Sequence, residues 1–274
     1  MPCRFVLPRR PFRVFLSLSS LALFALWAGP AKATPLAADS TTQVTQNVPT
    51  DAVSDAPKTA SDTDSETAAS QWSGGADFTF ASRYLFQGID YSNGKPVFQP
   101  NLKLAYKNFS VTAWGNYDID WQQFNEFDFS FSWSAAYRML SVTTGYVNLV
   151  YPNREDWDPS QEFFLNASLG APLSPSVSWH YDFDAGTGSY VTLGVSEPVQ
   201  ANTTVGANLF YQNSYYGMTG IPALELNVAY SLPVQSFTLK PSLSRMVTWD
   251  NGDFRNGAGP EDAWLFAFNV SRNF

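Results

Sequence analysis

The stretch AWLFAFNVSRNF, residues 263–274, closes the sequence. Large apolar side chains recur at every second position, at Trp264, Phe266, Phe268 and Val270, and the positions between them are mostly small or polar. A period of two places these two sets on opposite faces of an extended chain. The stretch is therefore predicted to be a strand with one apolar face and one polar face.

An amphipathic strand that ends on an aromatic residue resembles the closing strand of bacterial outer-membrane β-barrels. The resemblance implies that Phe274 is an assembly signal, read by the barrel-assembly machinery through the C-terminal strand. It also implies outer-membrane lipids around the strand. A barrel needs further strands of the same kind, because no backbone group can face lipid unpaired.

The first 33 residues are predicted to be a cleaved signal peptide. Four arginines precede an apolar run at residues 14–28, and Ala31 and Ala33 supply the small residues that a signal peptidase reads. The single cysteine, Cys3, lies in this segment, so the mature chain has no thiol for a disulfide or a thiolate metal site. Removing five cationic residues with the signal changes the net charge from −8 to −13, which disfavours nucleic acid as a partner.

Residues 34–71 are rich in Thr, Ser, Ala, Asp and Gln and poor in large apolar side chains. Such a segment buries too little surface to offset its chain entropy. We predict a disordered periplasmic tail or linker here, followed by a barrel over residues 72–274.

The remaining sequence repeats the alternation of the last stretch. We predict about twelve strands, with ten and fourteen as the neighbouring alternatives, at residues 76–86, 97–106, 109–121, 126–138, 141–151, 162–171, 177–185, 190–197, 203–212, 223–232, 237–249 and 263–274. Short connections alternate mostly with longer polar ones, as in a transmembrane barrel with periplasmic turns and outer loops. The predicted fold class is all-β, a transmembrane antiparallel up-and-down β-barrel. A water-soluble β-sandwich is the alternative, but the aromatic side chains of twelve strands would crowd its core.

The segment SRYLFQGIDYSNGKP, residues 82–96, resembles the start of the barrel in the TorF-like family of bacterial porins. The shared pattern is Ser-x-Tyr, Phe-x-Gly and Ser-x-Gly-x-Pro. The strand 145–152 and the hairpin 181–190 are similar to the same group, and the resemblance extends from about residue 74 to the end of the chain. It implies an outer-membrane channel without implying a solute.

The polar phase of the strands predicts the wall of the channel. Its charged and titratable members are Asp77, Arg83, Lys103, Asp118, Asp120, Glu126, Asp128, Arg138, His180, Asp182, Asp184 and Glu225. Carboxylates outnumber cations in this set, so we expect a negative interior that prefers cations. Inward aromatic side chains such as Trp114 and Phe164 are expected to narrow the pore.

One group of residues, around His180, is compatible with an enzyme. His180 is the only histidine, and Ser178, Asp182 and Asp184 share its strand face, as the members of a catalytic triad would. Neighbours two apart on a strand are roughly 6.6–7 Å apart, which is long for the direct hydrogen bonds of a triad. A barrel lipid hydrolase or deacylase using His180 therefore stays an alternative to the non-enzymatic reading.

The sequence as a whole predicts a porin or channel in the bacterial cell outer membrane that passes small hydrophilic solutes by passive diffusion. A non-transporting structural or adhesive barrel is the other alternative. No catalytic residue, metal ligand or cofactor site is predicted. The acidic residues Glu155, Asp156 and Asp158 lack the ordered spacing of a calcium loop.

Overall fold

A computed structural model describes residues 71–249 and 261–274. The predicted signal peptide, nearly all of the predicted tail and most of the last predicted loop lie outside these residues. Within them, no helix is long and apolar enough to cross a membrane. The described strands are β1 (Trp72–Ala81), β2 (Leu85–Phe86), β3 (Ile89–Asp90), β4 (Val97–Tyr106), β5 (Phe109–Asp118), β6 (Gln123–Tyr137), β7 (Leu140–Val150), β8 (Ser160–Leu169), β9 (Ser176–Asp182), β10 (Gly188–Gln200), β11 (Thr203–Tyr215), β12 (Met218–Gly220), β13 (Ala223–Tyr230), β14 (Leu232–Val234), β15 (Phe237–Thr248) and β16 (Ala263–Asn273).

Twelve of these strands form a closed antiparallel barrel. Each pairs with its neighbour in the order β1, β4, β5, β6, β7, β8, β9, β10, β11, β13, β15 and β16. The ring closes where β16 pairs with β1, with Phe80 opposite Phe268 and Phe78 opposite Val270. The predicted fold class and strand number are confirmed.

The two chain ends of the barrel meet at one rim, which we call the termini end. There the backbone N–H of Gly74 donates to the carbonyl of Phe274, and the N–H of Phe274 donates to the carbonyl of Gly74, both at 2.8 Å. Two-residue turns at residues 107–108, 138–139 and 201–202 lie at the same end. The opposite rim, the loop end, carries the longer connections at residues 82–96 and 151–159, and β15 ends and β16 begins there.

The barrel is apolar outside and polar inside. On β6, Phe129 and Phe131 are 51% and 52% exposed, whereas Glu126 and Ser132 are 2% and 6% exposed. The same division runs along β16, where Trp264 and Phe266 are exposed between buried small or aliphatic residues. Outward apolar and inward polar side chains belong to a barrel that is surrounded by hydrocarbon.

Most predicted strands agree with the structure to within a few residues, and Val97–Tyr106 agrees at both ends. The main error is the first strand, predicted at residues 76–86. It runs from Trp72 to Ala81 and stops there, and the following residues turn into the barrel. Tyr84 and Phe86, which we expected on the apolar outer face, are each 3% exposed and lie inside.

These inward residues form a small hairpin. β2 and β3 pair across the two-residue turn Gln87-Gly88, in which both residues have positive φ (51° and 90°). Two positive φ values match the twist of a tight hairpin, and glycine takes the second without strain. We call Leu85–Asp90 the internal hairpin.

We expect Gly145→Val to destabilise the barrel by about 1–3 kcal/mol, because overpacking forces the neighbours apart. A Cβ at this position on β7 would collide with the backbone oxygen of Phe131 and lie 2.5 Å from the Phe164 ring. The matched control is Gly170→Ala in a turn, where the nearest atom would be 3.6 Å away. The measurement is the urea concentration at which half of the protein has lost its folded band on an unheated gel. Equal midpoints for the two variants would contradict the close packing of Gly145 against Phe131 and Phe164.

Candidate functional site in the barrel interior

The internal hairpin crosses the interior at the loop end of the barrel. On one side the Tyr84 hydroxyl, just before the hairpin, donates to Glu126 Oε2 on β6 at 2.9 Å. On the other side Gln212 Nε2 on β11 donates to Gln87 Oε1 at the hairpin tip at 2.7 Å. The two contacts lie on well-separated strands of the ring. The hairpin is therefore held at both sides of the interior and divides it into two parts.

One part, between β11 and β6 through β1, holds an apolar cluster beside buried polar side chains such as Gln99, Asn116 and Glu225. Leu85, Phe86 and Ile89 of the hairpin belong to a single buried cluster with residues of β1, β4, β10, β11, β13, β15 and β16. Its wall members are Ala81, Val97, Tyr190, Phe210, Tyr215, Ala223, Met246, Ala263, Leu265 and Ala267. We call this part the apolar side.

The other part, between β6 and β10, is lined by acidic and aromatic side chains and is called the acidic side. Its centre is Glu162 on β8, which is fully buried. Glu162 Oε1 accepts from the Tyr215 hydroxyl at 2.9 Å, and Oε2 accepts from the Tyr190 hydroxyl at 3.3 Å and lies 2.9 Å from His180 Nδ1. Three partners on three strands thus satisfy one buried carboxylate, as burial of a charge requires.

The Glu162 partners also form the surface on which the hairpin rests. The His180 ring is stacked between Phe164 and Tyr190, at 5.5 and 4.5 Å between centroids. Phe86 of the hairpin meets the Tyr190 ring edge-on at 5.4 Å. Edge-to-face contacts of this kind are favourable beyond the area that they bury. The inward aromatic residues therefore narrow the interior, as the sequence predicts for Phe164.

The structure gives His180 a different acid partner from the one that a triad would need. Glu162, not Asp182, contacts the imidazole. Asp182 instead accepts from the Ser160 hydroxyl at 2.7 and 2.8 Å and from the backbone N–H of Asp184. His180 thus belongs to the network of Glu162, and Asp182 to a separate one with Ser160 and Asp184.

Tyr84 is a hydrogen-bond donor at any physiological pH. Burial raises the pKa of its phenol well above the ordinary value, and the charges of Glu126 and Asp128 raise it further. Burial also raises the pKa of Tyr91, with Glu126 as the next cause. A phenol that keeps its proton can go on donating to the Glu126 carboxylate.

At the loop mouth an arginine and four aromatic residues pack together. The Arg154 guanidinium lies 4.2 Å from the centre of the Trp157 ring and 5.7 Å from that of Trp121. Trp157 meets Tyr91 at 5.2 Å and Tyr151 at 5.0 Å. Asp156 lies 3.8 Å from the guanidinium and offsets part of its charge.

The half of the interior towards the termini end differs in chemistry. Asp77 accepts from Asn101 Nδ2 at 2.8 Å and from Asn269 Nδ2 at 3.0 Å. The Ser110 and Ser132 hydroxyls form one hydrogen bond, and those of Ser134 and Thr143 another. Lys103 and Lys240 also lie in this half. Hydroxyl groups, amides and lysines therefore take the place of the tyrosines of the loop end, and the Asp77 carboxylate is bonded by amides.

The predicted wall residues fall into three groups. The buried ones are Asp118, Glu126, His180, Asp182 and Glu225. The partly exposed ones are Asp77, Arg83, Lys103 and Asp128. The exposed ones, in connections at the rims, are Asp120, Arg138 and Asp184.

Arg83 also lies beyond the end of β1, although the predicted first strand extends to residue 86. Its Nη1 atom donates to Asp90 Oδ2 at 3.1 Å and to Glu261 Oε1 at 2.9 Å. Ser92 in the same segment accepts from the backbone N–H of Tyr84 through its hydroxyl at 2.8 Å. The segment with the TorF-like pattern is thus the one that builds and anchors the internal hairpin.

Sequence reasoning missed two buried charged residues, Glu162 and Lys240. Both occupy the polar phase of their strands, Glu162 next to the outward Phe163 and Lys240 next to the outward Leu239. Their phase could therefore have identified them. The partners of Glu162 could not be identified from the sequence, because Tyr190 and Tyr215 lie on other strands.

Among residues 71–249 and 261–274, no group of three or more His, Cys, Asp or Glu side chains is arranged to hold a metal ion. The chemistry that the described interior offers is hydrogen bonding and negative charge.

Comparisons with known proteins concern the fold. No protein-family model matches the sequence, and no curated protein matches it either. A KdgM porin structure is similar over 73% of this chain and 99% of its own, with 11% identity and a TM-score of 0.52. A KdgM porin in complex with disordered oligogalacturonate covers 73% of this chain and 99% of its own (12% identity, TM-score 0.48), and a NanC porin covers 72% and 98% (13% identity, TM-score 0.48).

At these identities the similarity extends to architecture and not to the solute. The KdgM structure has the same kind of fold over nearly its whole length. Together, the porin-like fold, the closed ring of twelve strands and the apolar exterior indicate a bacterial outer-membrane β-barrel protein.

Proposed function

We propose that this protein is an outer-membrane channel through which small hydrophilic solutes diffuse passively, with a preference for cations. The observation that carries the proposal is the reversed polarity of the closed barrel. It exposes many large apolar side chains on its outer surface, and it buries charged and polar side chains inside, beside the apolar cluster at the hairpin. A polar interior through an apolar layer is what solute passage requires.

The cation preference is supported by the charges of the acidic side and its surroundings. Six inward carboxylates lie towards the loop end: Asp118, Glu126, Asp128, Glu162, Asp182 and Glu225. The inward lysines Lys103 and Lys240 lie towards the other end, and Arg154 at the mouth is accompanied by Asp156. A solute that enters from the loop end therefore first meets a negative potential, which attracts cations.

The internal hairpin supports a low conductance. Twelve strands enclose an interior between that of eight-stranded barrels, which side chains fill, and that of the wide porins. The hairpin occupies part of this space at the loop end. The same observation favours the alternative of a non-transporting barrel, so conductance is the deciding measurement.

The finer assignment to the TorF-like porins belongs to the same proposal. It rests on the pattern in residues 82–96 and on the twelve-stranded barrel. Outer-membrane lipids, the assembly machinery and small solutes are the partners that the proposal includes, and nucleic acid is not among them because the chain is acidic.

We expect refolded protein to give small single-channel currents in planar bilayers. In a KCl gradient, the zero-current potential should lie on the side of the potassium equilibrium potential, because the negative entrance concentrates potassium and repels chloride. A potential on the chloride side would contradict the cation preference. Correctly folded protein that gives no current would favour the non-transporting barrel.

We expect Phe86→Ala to increase the single-channel conductance. Phe86 meets Tyr190 and Tyr215 at 5.4 and 6.3 Å between ring centroids, so its removal loosens the hairpin from the wall and frees volume in the interior. The control is Phe129→Ala, which removes an equal side chain from the outer surface, where Phe129 is 51% exposed. Equal conductance of Phe86→Ala and the wild type would show that the hairpin does not restrict the passage.

Deletion of Phe274 should impair membrane assembly far more than it alters the conductance of the molecules that insert. The deletion removes the proposed recognition residue and two backbone hydrogen bonds to Gly74. The control is Phe274→Tyr, which keeps a terminal aromatic ring. The measurement is the fraction of heat-modifiable protein in isolated outer membranes; normal assembly of the deletion variant would refute the signal role.

A further inference from the structure

The lysines and arginines of the described residues fall into three sets. The four towards the loop end each lie within ion-pair distance of a carboxylate, and they are Arg83, Lys95, Arg154 and Arg245. Two more, Lys103 and Lys240, lie inside the barrel. The last three, Lys107, Arg138 and Arg272, are exposed at the termini end. Within residues 71–249 and 261–274, none of these three has a carboxylate within ion-pair distance.

Each of the three exposed cations lies over the ring of an outward aromatic residue. The distances from the charged group to the ring centre are 5.3 Å for Lys107 over Tyr106, 5.3 Å for Arg138 over Tyr137 and 5.6 Å for Arg272 over Phe237. These rings are between 38% and 70% exposed. Outward aromatic residues at the rim of a transmembrane barrel mark the membrane interface. The contact holds the cation at this level without neutralising its charge.

Two of the cations occupy the same position in equivalent turns. Lys107 opens the turn between β4 and β5, Arg138 opens the turn between β6 and β7, and both have a φ of 54°. Glycine, asparagine and aspartate are the residues that such a position favours. The backbone of these turns therefore gives no reason for a long cationic side chain.

The three cations are also confined to one part of the rim. The sequence has no lysine or arginine between Arg154 and Lys240, so β8 to β14 carry none. Arg272 lies on β16, and the turns of Lys107 and Arg138 follow within the next five strands of the ring. Neighbouring strands are about 4.8 Å apart, so these two turns lie roughly 10 Å from each other. We call Lys107, Arg138 and Arg272 the basic arc.

We propose that the basic arc binds anionic phospholipids in the membrane leaflet at the termini end. An ammonium or guanidinium at the interface attracts an anionic headgroup, and arginine can donate two hydrogen bonds to one phosphate. The acyl chains would lie against exposed apolar side chains of the same strands, such as Leu104 on β4 and Trp133 on β6. The proposal depends on the membrane location of the barrel and not on the passage of solutes.

Native mass spectrometry tests the lipid site. Protein purified from outer membranes is mixed in detergent with phosphatidylglycerol or with phosphatidylcholine, which has a phosphate but no net charge. We expect the wild type to retain phosphatidylglycerol in preference. Lys107→Gln, Arg138→Gln and Arg272→Gln should each weaken its binding at one site by about fivefold, since one interfacial cation is lost. Lys107→Arg, Arg138→Lys and Arg272→Lys keep the charge and should keep the binding.

The matched control is Lys95→Gln. It also removes one exposed cation, but at the loop end, where Lys95 Nζ lies 3.7 Å from Asp120 Oδ1. This variant should retain phosphatidylglycerol as the wild type does. The heat-modifiable band on an unheated gel shows that each variant is folded before its lipids are counted.

Three results would overturn the proposal. They are equal retention of the two lipids by the wild type, an equal loss in Lys95→Gln and in the variants of the basic arc, and inorganic phosphate binding as tightly as the lipid. The second would show that only total charge matters, and the third would show a phosphate site rather than a lipid site. Folded protein that carries no current but retains the anionic lipid would overturn the channel function and leave the basic arc standing.

Discussion

Backbone hydrogen bonding in a medium without water is the constraint on which this structure depends. A strand with apolar side chains outside can lie in hydrocarbon only if its N–H and C=O groups pair on both sides. The chain meets this condition by pairing β16 with β1 and by tying Gly74 to Phe274 through two hydrogen bonds. Closure leaves the sheet without an unpaired edge, and it separates an outer surface from an interior.

In a closed barrel surrounded by hydrocarbon the polar phase of each strand faces inward, where its groups pair with one another. The chain does this differently at its two ends. Near the termini end, short hydroxyl and amide side chains pair across neighbouring strands, as Asn101 and Asn269 do with Asp77. Near the loop end, tyrosines donate to Glu126 and Glu162. Glu162 joins β8 to β9, β10 and β11 in this way, so a charge that would be costly alone becomes part of the wall.

The internal hairpin makes the two sides of the interior different at the loop end. Tyr84 and Gln87 anchor it to Glu126 and Gln212 across the interior, and its apolar residues pack against the wall on one side. Which side of the loop end is polar therefore depends on where the hairpin packs, and not on the barrel strands alone. The same carboxylates that support the hairpin supply the negative potential on which the proposed cation preference depends.

Much of the barrel could be predicted from the sequence, because period-two alternation is a local property that each strand carries by itself. Phe129 and Phe131 face outward and Glu126 faces inward as their spacing requires. The prediction was wrong at Tyr84 and Phe86, which continue the alternation of β1 but do not continue the strand. A period of two by itself does not distinguish an outward aromatic residue from one that folds back. The local sign was Leu85, because Tyr84, Leu85 and Phe86 follow one another without a polar residue between them.

The sequence by itself therefore determined the fold class, the number of barrel strands and, except at the end of the first strand, their faces. Only the tertiary structure decided which inward groups meet. The contact between Gln87 and Gln212 joins residues 125 positions apart, and that between Tyr215 and Glu162 joins residues 53 apart. Such pairs depend on the order and stagger of strands around the ring and on the path of the hairpin through it, and neither is encoded in the alternation of a single strand.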